Sequence, residues 1–81
     1  MRTLIAEDNT AMREHAERLL RERLPQALPL CVTTDGEQTL ARFRMERPEL
    51  LLLDIQLPGV NGIEVARAIW HDCPSTRIVF W

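Results

Sequence analysis

Short apolar runs alternate along the chain with segments whose apolar residues recur every three to four positions. The apolar runs cover residues 3–6, 30–34, 50–53 and 77–81. Runs of this length that are rich in Leu, Ile and Val are typical of strands in a sheet, and the continuous run at 50–53 indicates a strand buried on both faces. The sequence therefore predicts four strands.

The segments between the strands have the spacing of amphipathic helices. They cover residues 11–24, 36–46 and 62–73, and a proline, which cannot continue a helix, follows each of them. Asp35 and Asn61 are predicted N-caps, because their side chains can accept hydrogen bonds from free backbone N–H groups. The predicted apolar faces are Met12, Ala16, Leu19, Leu20 and Leu24 in the first helix, Leu40, Ala41, Phe43 and Met45 in the second, and Ile63, Ala66, Ile69, Trp70 and Cys73 in the third.

The order strand, helix, strand, repeated to the fourth strand, is the βαβ alternation. It predicts an α/β fold with a parallel sheet, right-handed crossovers and helices on both faces. With 81 residues the chain forms at most one small domain, and a domain of this size buries a smaller share of its surface than a larger one.

Acidic residues follow the first and the third predicted strands. Glu7 and Asp8 come directly after the first, and Asp54 follows the third. Because ligands in parallel α/β sheets bind beyond the carboxyl ends of the strands, the sequence directs three carboxylates to one small volume, where they need a cation. Each acid alone could instead belong to a polar loop that complements a helix dipole, and the joint occurrence favours a site.

The acid pair and the segment Asp54-Ile55-Gln56-Leu57-Pro58-Gly59-Val60-Asn61-Gly62 resemble the receiver domain of bacterial two-component response regulators. The likeness runs from Thr3 to Trp81. It implies a flavodoxin-like, doubly wound parallel sheet with strand order 2-1-3-4. It also implies that residues 1–81 are the N-terminal two-thirds of a receiver domain, without its fifth strand and last two helices.

The resemblance further implies a phosphorylation-dependent signalling switch, not an enzyme. Asp54 would be the phospho-acceptor for a sensor histidine kinase. Mg²⁺ would be bound by Asp8, Asp54 and the backbone carbonyl of Gln56, with Glu7 reaching the metal through water. DNA would be contacted only through a C-terminal domain outside these 81 residues.

Two family features are missing from the sequence. Receivers have a Ser or Thr after the fourth strand and a Lys ending the fifth, and both bind phosphoryl oxygens. The hydroxyl position would fall beyond Trp81, and all ten basic residues of the chain are arginine. We therefore expect a truncated receiver that is marginally stable, or that forms a homodimer or strand-exchanged oligomer, because an uncovered edge strand invites pairing.

The composition of the chain limits the classes of partner that it is expected to bind. A net charge of -2 and a pI near 5.6 give no bulk attraction for nucleic acid or an anionic membrane, and the apolar runs are too short to span a bilayer. The start of the chain shows no secretory signal, so a cytoplasmic location is expected. Cys31 and Cys73 lack metal-site spacing and are interpreted as packing residues. The two histidines receive no role.

Two other functions stay open from the sequence. The chain could be a receiver-like interaction or dimerisation module that is never phosphorylated, which the missing hydroxyl and lysine favour and the intact acids oppose. An aspartate-nucleophile phosphatase or a metal-dependent phosphotransferase on a similar sheet is the third hypothesis. Such enzymes generally have a second acid two residues after the first, where this chain has Gln56. Phosphorylation, and not Mg²⁺ binding, separates the first two hypotheses.

Overall fold

The computed structural model describes residues 1–27 and 30–81. Strands and helices follow one another in the predicted order, and each bound lies within one residue of its prediction. A short 3₁₀ turn follows the first helix at Pro25, and within the described ranges no helix is both long and apolar enough to cross a membrane. The elements are β1 (Thr3–Ala6), α1 (Thr10–Arg23), β2 (Leu30–Thr33), α2 (Gly36–Glu46), β3 (Leu50–Leu53), α3 (Gly62–Asp72) and β4 (Arg77–Phe80).

The four strands form one parallel sheet in the order β2-β1-β3-β4, which confirms the predicted fold class and strand order. β1 lies in the middle, where Ala6 is opposite Thr33 of β2 and Leu53 of β3. β4 pairs with β3, and no other described strand pairs with it. The register brings the carboxyl ends of β1 and β3 side by side.

Apolar side chains pack on both faces of the sheet. Neighbouring residues of a strand point to opposite faces, so Leu4 and Ala6 join the core on the α2 and α3 side while Ile5 joins the core on the α1 side. The larger core also contains Phe43, Leu51, Leu53, Leu57, Val65, Ala66 and Ile69, and the smaller contains Ala16, Leu20 and Ala27.

The helix faces were predicted only in part. The predicted core residues Met45 and Trp70 are 72% and 44% exposed, and Met12, Leu19, Leu24, Ala41 and Ile63 are exposed as well. Each helix buries a narrow stripe against the sheet, with residues three or four positions apart. The buried stripes are Ala16 and Leu20 in α1, Gly36, Thr39 and Phe43 in α2, and Gly62, Val65, Ala66 and Ile69 in α3.

The cysteines are packing residues, as predicted. Cys31 and Cys73 are half-buried free thiols that lie against the larger core. The Arg42 Nε atom donates to Cys31 Sγ at 3.0 Å, and Arg47 Nη1 donates to Cys73 Sγ at 2.7 Å. Each thiol thus accepts a hydrogen bond from the guanidinium group of an exposed arginine.

The loop between β3 and α3 is packed against the start of α2. The Gly36 N–H donates to the Pro58 carbonyl at 3.1 Å, and the Gly36 Cα lies so close to the Val60 carbonyl that a Cβ atom would overlap with it. Glycine is therefore required at position 36 for close approach of the two backbones.

We predict that Gly36→Ala destabilises the chain although alanine is the better helix former. The added Cβ must displace the Val60 carbonyl, which we expect to lower the free energy of unfolding by about 1–3 kcal/mol. Urea denaturation measures this free energy of unfolding. Arg44→Ala, on the exposed side of α2, is the control and is expected to change stability by less than about 0.5 kcal/mol. Equal stability of the two variants would show that the loop does not depend on this contact.

Candidate functional site

The three acids predicted from the sequence lie together at the carboxyl edge of the sheet. Carboxylate oxygens of Glu7, Asp8 and Asp54 are all within 4.8 Å of one another. The backbone fixes this arrangement, since the Asp54 N–H donates to the Ala6 carbonyl at 3.0 Å and the Glu7 N–H donates to the Thr33 carbonyl at 3.1 Å. Hydrogen bonds that continue the strand pairing beyond β1 and β3 therefore bring the three acids together.

The three acids differ in their surroundings. Glu7 is buried, with 5% of its surface exposed, whereas Asp54 is half-buried and Asp8 is exposed. Burial, followed by the carboxyl groups of Asp54 and Asp8, raises the pKa of Glu7 from its ordinary value of 4.5 to about 7, and the Asn9 N–H opposes the shift. Burial is thus the largest cause of the raised pKa, and the neighbouring acids add to it.

The backbone around Asp54 holds its side chain in place. Asp54 Oδ1 accepts a hydrogen bond of 3.0 Å from the Gln56 N–H. The loop then closes through a 2.8 Å hydrogen bond from the Gly62 N–H to the Ile55 carbonyl, and a Cβ atom at Gly62 would overlap with the Asp54 carbonyl. The carboxylate is thus oriented from its own loop.

The loop after β1 is held in a similar way. Asn9 is the N-cap of α1, and its Oδ1 accepts from the Met12 N–H at 3.0 Å. Arg13 Nη1 donates to the Glu7 main-chain carbonyl at 3.2 Å. Sequence reasoning missed Arg13, because a side chain that bonds to a backbone carbonyl leaves no spacing motif; its only signal is a lone arginine at the start of α1.

The site is open at the sheet edge. A cavity of about 470 Å³ lies instead near the amino ends of β3 and β4, where Arg47, Glu49, Cys73 and Arg77 contribute to its wall. It contains none of the three acids, and it does not define the candidate site. What the acids offer is a set of hard oxygen donors, which suits Mg²⁺ more than a metal that prefers nitrogen or sulfur ligands.

Comparison with known proteins identifies sequence relatives. The chain is 38% identical over 71 residues to the DNA-binding response regulator MtrA of Mycolicibacterium paratuberculosis, which covers 88% of this chain and 30% of the relative. It is 31% identical over 81 residues to the transcriptional activator protein ExaE of Pseudomonas putida, covering 100% of this chain and 37% of that protein. The chain thus spans about a third of the length of these curated relatives.

Solved structures have the same fold. A LuxR-family two-component response regulator from Aurantimonas superposes with a TM-score of 0.84 at 30% identity, covering 98% of this chain and 56% of that one. The REC domain of AraT from Geobacillus stearothermophilus gives a TM-score of 0.89 at 20% identity, which shows the fold alone, over 98% of this chain and 61% of that one. The family model for the response regulator receiver domain matches residues 3–81, and the chain belongs to that family.

Proposed function

We propose that this chain is the phosphoryl-accepting part of a two-component signalling switch, with Asp54 as the acceptor and a sensor histidine kinase as the donor. The gathering of Asp54 with Glu7 and Asp8 at the carboxyl edge of a receiver-type sheet carries the proposal. The chain receives the group and does not turn over a separate substrate. A cytoplasmic location accompanies this proposal, because the kinase obtains the phosphoryl group from ATP.

The donor atoms fit Mg²⁺. Asp8, Asp54 and the backbone carbonyl of Gln56 would bind the ion directly, and Glu7 would reach it through water. These are oxygen ligands, and Mg²⁺ is usually bound by one or two carboxylates together with water and phosphate oxygens. The bound ion would supply positive charge that reduces the repulsion between a carboxylate and a phosphoryl donor.

The chemical step belongs to the carboxylate of Asp54. One of its oxygens forms a bond to phosphorus while the bond from phosphorus to the kinase imidazole breaks, and the released imidazole takes up a proton. The Gln56 N–H at 3.0 Å from Asp54 Oδ1 orients the carboxylate for this attack. A Glu7 side chain with a pKa near 7 limits the negative charge that the donor meets.

The proposal also covers the longer parent protein. We propose that residues 1–81 form the N-terminal two-thirds of a receiver domain, since they cover 56% and 61% of two solved response regulator chains. One relative is named a DNA-binding response regulator and another a transcriptional activator. We therefore propose that the parent protein contacts DNA through a C-terminal domain.

We predict that Asp54→Asn abolishes phosphorylation, because the amide cannot act as the nucleophile. The assay is the intact mass after incubation with Mg²⁺ and acetyl phosphate, on this chain and on a form extended to the length of the solved receivers. Asp72→Asn, an exposed acid at the end of α3, is the matched control and should leave phosphorylation unchanged. An extended form that binds Mg²⁺ but gains no phosphoryl group would support the interaction module instead.

We predict that Mg²⁺ binds more tightly as the pH rises from about 6 to about 8. Glu7 must lose its proton to assist the metal, and its pKa is about 7. The apparent affinity should therefore rise by up to about tenfold over this whole window. Calorimetric titration of Mg²⁺ measures the effect, and in the isosteric Glu7→Gln variant the slope should vanish. A slope that survives in Glu7→Gln would assign the proton to another group.

For the metal-free chain, the raised pKa of Glu7 predicts that the contribution of this residue to folding stability falls as the pH rises. Folded Glu7 holds its proton to a higher pH than unfolded Glu7, so the folded state binds more protons between about pH 4.5 and about pH 7. Its stability contribution is present at the acidic end and is lost as the pH rises through this window. Thermal melts in the presence of a chelator should show a melting temperature that falls as the pH rises through this window, and Glu7→Gln should reduce this dependence on pH.

We also propose that the 81-residue chain self-associates along β4. The open strand edge is apolar, with Val79 49% and Trp81 38% exposed, and the Trp70 ring packs edge-on against Phe80 beside it. Sedimentation should detect dimers or larger species, and Val79→Lys should shift them towards monomer because a charged edge opposes strand pairing. A monomer with a sharp melt in the unsubstituted chain would contradict the proposal.

A further inference from the structure

The guanidinium group of Arg13 lies over the loop that carries two of the three acids. Its Nη1 donates to the Glu7 main-chain carbonyl at 3.2 Å, and its Nη2 lies 3.5 Å from Thr10 Oγ1. The backbone N–H of Arg13 donates to the Asn9 carbonyl at 2.9 Å, within the first turn of α1. Arg13 thereby joins the first turn of the helix to the end of β1.

The carbonyl that Arg13 binds belongs to the peptide group between Glu7 and Asp8. A peptide group is planar, so holding its oxygen fixes the direction in which the chain leaves Glu7 and the place where Asp8 begins. The other side of Glu7 is already fixed by the hydrogen bond from its N–H to the Thr33 carbonyl at 3.1 Å. With both sides held, the backbone from which the two neighbouring carboxylates extend has little freedom.

Arg13 achieves this without occupying the acids. Its recorded partners are a main-chain carbonyl and a hydroxyl, and none of the ion pairs in the described part of the chain involves Glu7, Asp8 or Asp54. Arg13 therefore holds this loop without forming an ion pair with any of the three carboxylates. The charge of Arg13 and its hydrogen bond act on Mg²⁺ binding in opposite directions. The positive charge repels the ion, whereas the orientation of the peptide favours binding.

We propose that Arg13 is a positioning residue that orients the Glu7-Asp8 peptide for Mg²⁺ binding. This inference rests on the proposed function, in which these acids bind the ion. Partners of metal ligands that are held in this way commonly affect affinity without touching the metal. The positioning effect and the charge effect can be separated by ionic strength, since salt screens the charge and leaves the geometry unchanged.

The test is calorimetric titration of Mg²⁺ into Arg13→Met, which keeps a long side chain and removes both the donors and the charge. In about 1 M KCl, where the screening length is about 3 Å, we expect affinity to fall about tenfold. At low ionic strength the loss should be smaller, because removing a positive charge then favours the cation. Arg18→Met, an exposed arginine of the same helix, is the matched control and should be unchanged in high salt.

Arg13→Lys tests the geometry in a second variant, which retains the charge but has no planar fork, and it serves if Arg13→Met does not fold. It should show an intermediate loss in high salt. Two results would overturn the positioning role alone. One is equal Mg²⁺ affinity of the Arg13 and Arg18 variants in high salt while Asp8→Asn binds more weakly. The other is a lower melting temperature of Arg13→Met with an unchanged Mg²⁺ affinity. If Asp8→Asn also binds Mg²⁺ normally, the metal site of the proposed function fails and the inference fails with it.

Discussion

The in-register parallel pairing of β1 with β3 is the constraint on which the site depends. Ala6 lies opposite Leu53, so the residues that follow the two strands emerge next to each other. Packing of the core sets this register, because a shift by one residue would turn Leu4 and Ala6 away from the α2 and α3 side of the sheet. Hydrophobic burial thus determines where the carboxylates meet, although no carboxylate contributes to that burial energy.

Bringing three acids together opposes folding, and the structure reduces this effect in several ways. Burial and the neighbouring carboxyl groups raise the pKa of Glu7 to about 7, which favours its neutral form relative to an ordinary glutamate. Asp54 accepts a backbone hydrogen bond from Gln56, which orients its carboxylate. Arg13 adds a positive charge near the pair that follows β1. The acids are therefore accommodated by different means, and their chemical roles can differ accordingly.

The sequence was sufficient for the parts of the fold that depend on simple periodicity. The leucine run at β3 predicted a strand buried on both faces, and the acids at the strand ends followed from the rule for ligand crevices in parallel sheets. Helix faces were harder to predict, because a helix that covers a sheet buries a narrower stripe than its apolar residues suggest. Met45 was wrongly assigned to that stripe and Val65 was overlooked.

The finer features of the site were outside the reach of pattern analysis. The pKa of Glu7 is raised mainly because its side chain turns inward after the strand, and the spacing of the acids does not show which of them does so. The role of Gly62 depends on contact with the Asp54 carbonyl, which is a tertiary approach between two ends of a loop. Contacts of this kind form only after the chain has folded, so they carry no local sequence signal.

The edge strand β4 and Asp54 are close neighbours in the sheet. The Trp81 N–H donates to the Leu53 carbonyl at 3.1 Å, and Leu53 directly precedes Asp54. A segment that paired with the open edge of β4 would therefore be separated from β3 by one strand and would restrain the strand end that carries Asp54. Because hydrogen bonds in a sheet are shared between neighbours, ordering of β4 and placement of Asp54 cannot be independent. The apolar edge and the acidic site are thus two parts of one structural unit.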